Sequence, residues 1–249
     1  LFQKADTTLE SELTISKLAV LARHAWSKNE QLDLFSNVDQ SAEAIKEFSS
    51  AEEANRFLQF SAQCRTLYKE LEKPYMLSEK PSFAGMINDL GLSGSKALYD
   101  IGLFKTLWKS LGNYFHDPRL HQLFGRYATY CGSSPYLAPA TLMLIADVET
   151  QGVWAVEGGM YSLVRAIQKL AQDKGVQIMT GQACEEILVE QGRASGVRLA
   201  DGTTISAQAV IFNGDLAALQ TGLLNQDSKK AFNSKLIPPS PSKRSLSAL

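Results

Sequence analysis

The sequence is short of the residues that announce most chemistries. Its three cysteines, Cys64, Cys131 and Cys184, are odd in number and far apart. That excludes a disulfide framework and a zinc cluster and suits a reducing compartment, with each thiol expected to be a buried small hydrophobe. The three histidines are no better placed: His116 and His121 fall on different helix faces and His24 has no neighbouring ligand, so no metal site is expected. Charge of one sign is missing as well. Against 26 acidic residues stand 25 basic ones, for a net charge of -1, which gives no pull toward nucleic acid. Residues 127–146 carry no formal charge, but Gly132, Ser133, Ser134, Pro135 and Pro139 interrupt them, so one membrane-spanning helix is excluded. Lys4, Asp6, Glu10 and Glu12 break up any leader-like core. Also absent is a Gly-x-Gly-x-x-Gly run with an acidic residue after it, the fingerprint that grips a dinucleotide pyrophosphate. Opening on Leu1 rather than Met, the chain is expected to be a piece of a longer protein.

What remains is an ordinary globular composition, 45% hydrophobic and 20% charged, in a chain long enough for a substantial core. Helical patterns dominate up to residue 151. Residues 13–26 are rich in apolar and β-tolerant side chains, residues 27–30 are turn-like and residues 31–35 alternate, which together predict a β-hairpin. Asp39 is a plausible N-cap for a helix to Phe48, and Ser50 with Glu53 forms a capping box. The box opens a longer helix carrying Phe57, Phe60, Cys64, Leu67 and Leu71 at helical spacing, closed by Pro74. Short helices and turns are expected over 76–95, and a helix over 101–115. Asp117 before Pro118 is a strong helix start, leading through Leu120, Leu123, Phe124 and Tyr127. A last helix, 138–151, has Leu142, Met143, Leu144 and Ile145 in succession and must be enclosed by protein, an apolar ligand or lipid.

The character changes at Gly152-Val-Trp-Ala-Val-Glu-Gly-Gly, which runs into a helix with Met160, Leu163, Val164, Ile167, Leu170 and Ala171 on one stripe and Gly175 at its C-cap. The pair Gly158-Gly159 before a helix either makes a sharp turn or leaves N–H groups open to an anionic or flat ligand. After it come strand-like runs at 176–179 and 183–190, a Gln191-Gly192 turn, a run at 196–199, an Asp201-Gly202 turn and a run at 203–206, which predict a strand and an antiparallel meander. The apolar run 209–212, ending in Asn213-Gly214-Asp215, reads as a parallel strand covered on both faces. A short helix at 216–224 and a linker with Pro238, Pro239 and Pro241 follow.

Four stretches together resemble bacterial carotenoid desaturases related to phytoene desaturase. They are Asp-Pro-Arg-Leu-His-Gln-Leu-Phe-Gly-Arg-Tyr-Ala-Thr-Tyr at 117–130, Gly-Val-Trp-Ala-Val-Glu-Gly-Gly-Met at 152–160, Val-Ile-Phe-Asn-Gly-Asp at 210–215 and Arg-Ser-Leu-Ser-Ala at 244–248. Within that family the chain is most similar to the hydroxyneurosporene and methoxyneurosporene desaturase branch. The resemblance implies an FAD-dependent oxidoreductase that passes a hydride from a long polyene to the flavin. The implied fold class is α+β/α/β: a helical substrate-binding layer with a β-hairpin over 1–151, part of an amine-oxidase-like FAD sheet with an inserted meander over 152–224, then a linker and returning strand over 225–249.

By resemblance, Gly158 and Gly159 belong near the flavin, and Asn213, Gly214 and Asp215 near its ADP half. Cys184 stands where related flavoproteins place a Val whose backbone meets the adenine. Arg126, Tyr127, Tyr130, Pro135, Leu142 and Ile145 are the substrate-facing candidates, since a polyene offers little to hydrogen-bond and calls for an apolar enclosure. Ser133-Ser134 replaces a Gly-Gly frequent in relatives. No catalytic acid or base can be named: Glu157 is expected to be an exposed turn residue and Arg126 to make a structural salt bridge. A polyene substrate implies a cytoplasmic enzyme docked on a membrane surface. Without the glycine fingerprint, weak FAD binding is expected. A phytoene desaturase, a carotene isomerase, a protoporphyrinogen oxidase and a non-catalytic carotenoid-binding module remain alternatives.

Overall fold

The computed structural model describes residues 1–72 and 105–214 together with the single residues 77, 225 and 230. Pro74, Phe104, Asp215, the short helices and turns expected over 76–95 apart from Leu77, the helix expected over 216–224, and the linker and returning strand expected over 225–249 apart from residues 225 and 230 lie outside the described residues. The chain divides into two compact units, Leu1–Gln168 and a second beginning at Lys169.

In the first unit the expected hairpin forms: strand β2 (Val20–Ser27) pairs antiparallel with β3 (Glu30–Phe35). The stretch read as its first arm is in fact two strands, because β1 (Ile15–Lys17) turns away to pair with β4 (Trp154–Val156). The next helix, Val38–Phe48, is capped by Asn37, whose side chain accepts from the Gln40 N–H, and not by Asp39. The helix simply begins earlier, and Asn fills the cap as well as Asp. Ser50 caps helix Ala51–Leu71 through the Glu53 N–H at 3.1 Å. The Glu53 carboxylate accepts from the His116 N–H at 3.1 Å, pinning a distant loop.

Phe57, Phe60, Cys64, Leu67 and Leu71 all face the core. They meet Leu107 and Leu111 of helix Leu107–Leu111, Phe115, and Leu120, Leu123 and Phe124 of helix Pro118–Gly125. Asp117 caps that last helix with Pro118 in its first turn, as expected. Phe60, fully buried, has the rings of Tyr114, Phe115 and Phe124 at 5.4, 5.1 and 4.9 Å. The helix expected over 138–151 is split into a 3-10 turn, Ala140–Leu144, and an α-helix, Ile145–Gln151. Met143 and Ile145 are buried in the same core, with Leu142 and Leu144 packed against it. Among the described residues no helix is long and apolar enough to cross a membrane.

Helix Met160–Asp173 forms as expected, and Gly175 follows it at φ +87. Among the described residues its apolar stripe is only partly covered. Ala166 and Leu170 are buried, whereas Met160, Val164 and Ile167 are exposed. In the second unit the meander is present as β5 (Cys184–Glu190), β6 (Arg193–Leu199) and β7 (Thr204–Ser206), in the order β5-β6-β7. Gln191 and Gly192 both have positive φ at the first hairpin. The strands expected over 176–179 and 209–212 do not form. An apolar run becomes a strand only when its N–H and C=O groups are paired, and here Val176, Ile178 and Met179 are exposed and Ile211 is 94% exposed. Val210 and Phe212 instead pack against Ile187. Cys64 is buried as expected, but Cys131 and Cys184 are exposed, each lying where the chain meets solvent at a turn or strand end.

Candidate functional site

Helix Pro118–Gly125 continues as a 3-10 turn, Arg126–Cys131. Residues three apart eclipse in such a turn, which aligns Tyr127 with Tyr130, their rings 6.4 Å apart. Helix Ile145–Gln151 presents Glu149 to this row. Arg126 Nη2 donates to Glu149 Oε1 at 2.9 Å and Oε2 at 2.7 Å. The Tyr127 hydroxyl donates to Oε2 and the Tyr130 hydroxyl to Oε1, both at 3.1 Å. The Arg126 guanidinium also lies over the Tyr127 ring, 4.8 Å from its centre. So the structural salt bridge expected of Arg126 is present.

The environment of this network is unusual. Tyr127 is fully buried, and burial, reinforced by the Glu149 charge, pushes its phenol well above the ordinary range. Burial works against the Arg126 charge, but the Glu149 hydrogen bond and nearby charges outweigh it and raise its pKa. His24 on β2 is pushed below the ordinary histidine value, first by burial and then by the Arg126 charge. Among the described residues Arg126 Nε and His24 Nε2 are buried without a hydrogen-bond partner. Neither Glu149 nor His24 is among the residues expected from sequence. A signal for Glu149 existed: the charge-free segment 127–146 is bounded by Arg126 on one side and by Asp147 and Glu149 on the other.

The other substrate-facing candidates are not gathered on this network. Pro135 sits over Gly125 and accepts from the Trp108 N–H at 3.0 Å, Leu142 is half-buried, and Ile145 is a core residue. Of the cavities in this unit, one of about 630 Å³ is lined by Arg23, Glu30, Asp33, Phe48 and Arg119, and one of about 370 Å³ by Arg65, Tyr68, Asp147 and Gln151. A narrow crevice runs beside Phe57, Phe124, Tyr127 and Glu149.

The glycine pair follows β4. Gly158 and Gly159 have φ of +76 and +83, a region that other residues enter only at a cost. Pairing of β4 with β1, extended by the Glu157 N–H donating to Thr14 O at 3.0 Å, fixes the turn. Glu157 is exposed, as expected. A Cβ on Gly159 would meet nothing within 4 Å, and one on Gly158 only the Ser162 hydroxyl at 2.7 Å. The turn is therefore bare and open at the start of a 14-residue helix, an arrangement that fits the edge of a flat, anionic cofactor. In the second unit Cys184 heads β5, exposed, and Asn213 and Gly214 are exposed with Gly214 against the Phe212 ring.

A family model described as flavin containing amine oxidoreductase matches residues 2–246. The chain belongs to this family. The similar proteins are specific in their names. A hydroxyneurosporene desaturase from Rubrivivax gelatinosus is 53% identical over 100% of this chain and 47% of its own length. One from Cereibacter sphaeroides is 39% identical over 100% of the chain and 49% of its own length. A 4,4'-diaponeurosporene oxygenase from Staphylococcus aureus is 29% identical, covering 92% of the chain and 46% of its own length. The chain thus spans about half the length of the curated relatives it matches. An oxidoreductase from Methanosarcina mazei shares the fold at a TM-score of 0.50 and 18% identity, over 90% of this chain and 46% of that one. The resemblance read from the four sequence stretches is borne out.

Proposed function

We propose that this chain is part of an FAD-dependent carotenoid desaturase, acting on an acyclic carotenoid that carries a hydroxyl. The observation that carries the reading is 53% identity, sustained over the whole chain, to a hydroxyneurosporene desaturase. Desaturation removes a hydride and a proton from adjacent carbons, and a bound flavin supplies the two-electron acceptor. Gly158 and Gly159 would let the flavin approach the backbone closely, and Cys184, Asn213 and Gly214 would serve its ADP half. Arg126, Tyr127, Tyr130, Pro135, Leu142 and Ile145 would face the polyene.

Docking on a lipid surface belongs to the same reading. Tyr136 and the 80% exposed Leu137 lie on a loop held to the segment of Lys105 and Lys109 by the Trp108 N–H donating to Pro135 O and the Ala140 N–H to Lys105 O. Apolar tips beside cations suit an anionic bilayer. Leu137→Ser is expected to weaken flotation with anionic vesicles, and unaltered flotation would remove this loop as the contact.

The deciding experiment supplies a protein that contains this chain within the full length of its relatives, loaded with FAD, with a hydroxylated acyclic carotenoid and follows mass and absorption. The expected product has lost a pair of hydrogens and absorbs further to the red. A product that has gained oxygen, or unchanged carotenoid, would sink the desaturase reading.

A further inference from the structure

We propose that Trp154 is a positioning residue: its ring locks the strand that joins the Glu149 network to the glycine turn, and so sets where the flavin edge lies against the polyene. The inference rests on the reading that places the flavin at Gly158 and Gly159, and adds to it a residue that acts through the backbone.

The connection is short and lies wholly in the first unit. Only Gly152 to Glu157 separate the helix that carries Glu149 from the bare pair Gly158-Gly159. Hydrogen bonds run along it: Gly152 N–H donates to Glu149 O at 3.2 Å, Trp154–Val156 pair with β1, Gly159 N–H donates to Val156 O at 2.9 Å and Ser162 N–H to Gly159 O at 3.0 Å. One joint is left to the side chains. Gly152 has φ +143 and ψ +148, a conformation that glycine adopts freely and other residues do not, so the backbone there supplies no restraint of its own.

Trp154 fills that joint. A Cβ on Gly152 would stand 2.5 Å from Cη2 and 2.8 Å from Cζ3 of the indole, and 2.9 Å from Lys17 Cε. The lysine faces Trp154 across the β1–β4 pair, and its Nζ lies over the same ring. Ring and lysine stem therefore occupy the space that a side chain at Gly152 would take, and hold the strand at one angle to the helix. Core packing does not explain the tryptophan. It is 47% exposed and takes no part in the cluster around Phe60, whereas an aromatic that serves stability alone gains by full burial. Its loss would free the joint and let the glycine turn shift, and a displacement of about 1 Å at a reacting centre costs about 100-fold in rate.

The test uses a protein that contains this chain within the full length of its relatives, loaded with FAD. Trp154→Ala empties the joint, and Trp154→Phe keeps a ring over it. In the alanine variant the Gly159 and Ser162 amides are expected to exchange hydrogen about 10-fold faster and FAD to bind about 10-fold more weakly. With an acyclic carotenoid, kcat should fall about 10- to 100-fold while KM changes less than about 3-fold. The phenylalanine variant should recover most of each. Thermal melting establishes that both are folded at the assay temperature. Exchange and flavin affinity that match the parent's, with only the melting temperature lowered, would overturn the inference and leave Trp154 a packing residue. Alanine and phenylalanine variants that behave alike would overturn it too. A parent that binds FAD and desaturates no carotenoid would overturn the desaturase reading, while exchange and flavin affinity still decide the role of Trp154.

Discussion

Replacing Glu149 with Ala removes an acceptor shared by three side chains, Arg126, Tyr127 and Tyr130, and its cost can be worked from the geometry. Deleting one partner of a buried ion pair costs about 3–5 kcal/mol. Here the Arg126 side chain is 29% exposed and that of Glu149 13%, so solvent screens the stranded guanidinium and reduces the cost to about 2–4 kcal/mol. The buried Tyr127 hydroxyl loses its acceptor, adding about 1 kcal/mol, while exposed Tyr130 adds little. The sum is about 3–5 kcal/mol. Glu149→Gln keeps an acceptor for the tyrosines and should cost about half as much. Trp26, Trp108 and Trp154 all lie in the unit Leu1–Gln168, so tryptophan fluorescence reports the unfolding of that unit alone. With a urea slope of about 3 kcal/mol/M the midpoint should fall by about 1 M or more. A Glu149→Ala midpoint that coincides with the parent's would refute the account of the network as a supporting structure.

Gly158→Ala and Gly159→Ala are each expected to cost about 1–2 kcal/mol through their positive φ. The two should be alike because the Ser162 hydroxyl near Gly158 can rotate away, and a much larger loss at Gly158 in the same urea assay would contradict this. Asp117 is held at about 2, first by its hydrogen bond to Arg119 and also by Ser49 and the Arg119 backbone. Its folded-state pKa is depressed, so the stability it adds is complete above its unfolded value of 3.8 and is lost as pH falls toward about 2. Removing it with Asp117→Asn should lower stability at neutral pH by about 1–2 kcal/mol and flatten the acid limb, whereas parallel pH curves would count against it. Purified as these 249 residues, the protein should take up FAD only weakly, since no glycine fingerprint is present to grip the pyrophosphate. Stoichiometric flavin retained through gel filtration would show that expectation wrong.

Much of the first unit was legible because its signals are local. Ser50, Asp117 and Pro118 announce helix starts, and Phe57 through Leu71 announce a buried face, without reference to anything distant. What was illegible depends on remote partners. The β1–β4 pairing joins strands of three residues each across most of the first unit, too short to carry a periodic signature. Glu149 reads as one more charge on a helix until Arg126, Tyr127 and Tyr130 fold onto it. The runs 176–179 and 209–212 misled for the opposite reason. Apolar composition is necessary for a buried strand, but hydrogen-bonded neighbours decide whether one forms.

The short ribbon made by Ile15–Lys17 and Trp154–Val156 has a consequence for how the glycine turn keeps its shape. Thr14 and Leu18 bracket it, the first accepting from the Glu157 N–H and the second donating to Val153 O at 2.8 Å, while Lys17 caps the Trp154 ring at 5.6 Å. A turn built on two adjacent glycines is thus braced from the far end of the sequence. Changes at residues 14–18, nowhere near the flavin in the linear order, would be transmitted to the spot where the cofactor is expected to rest.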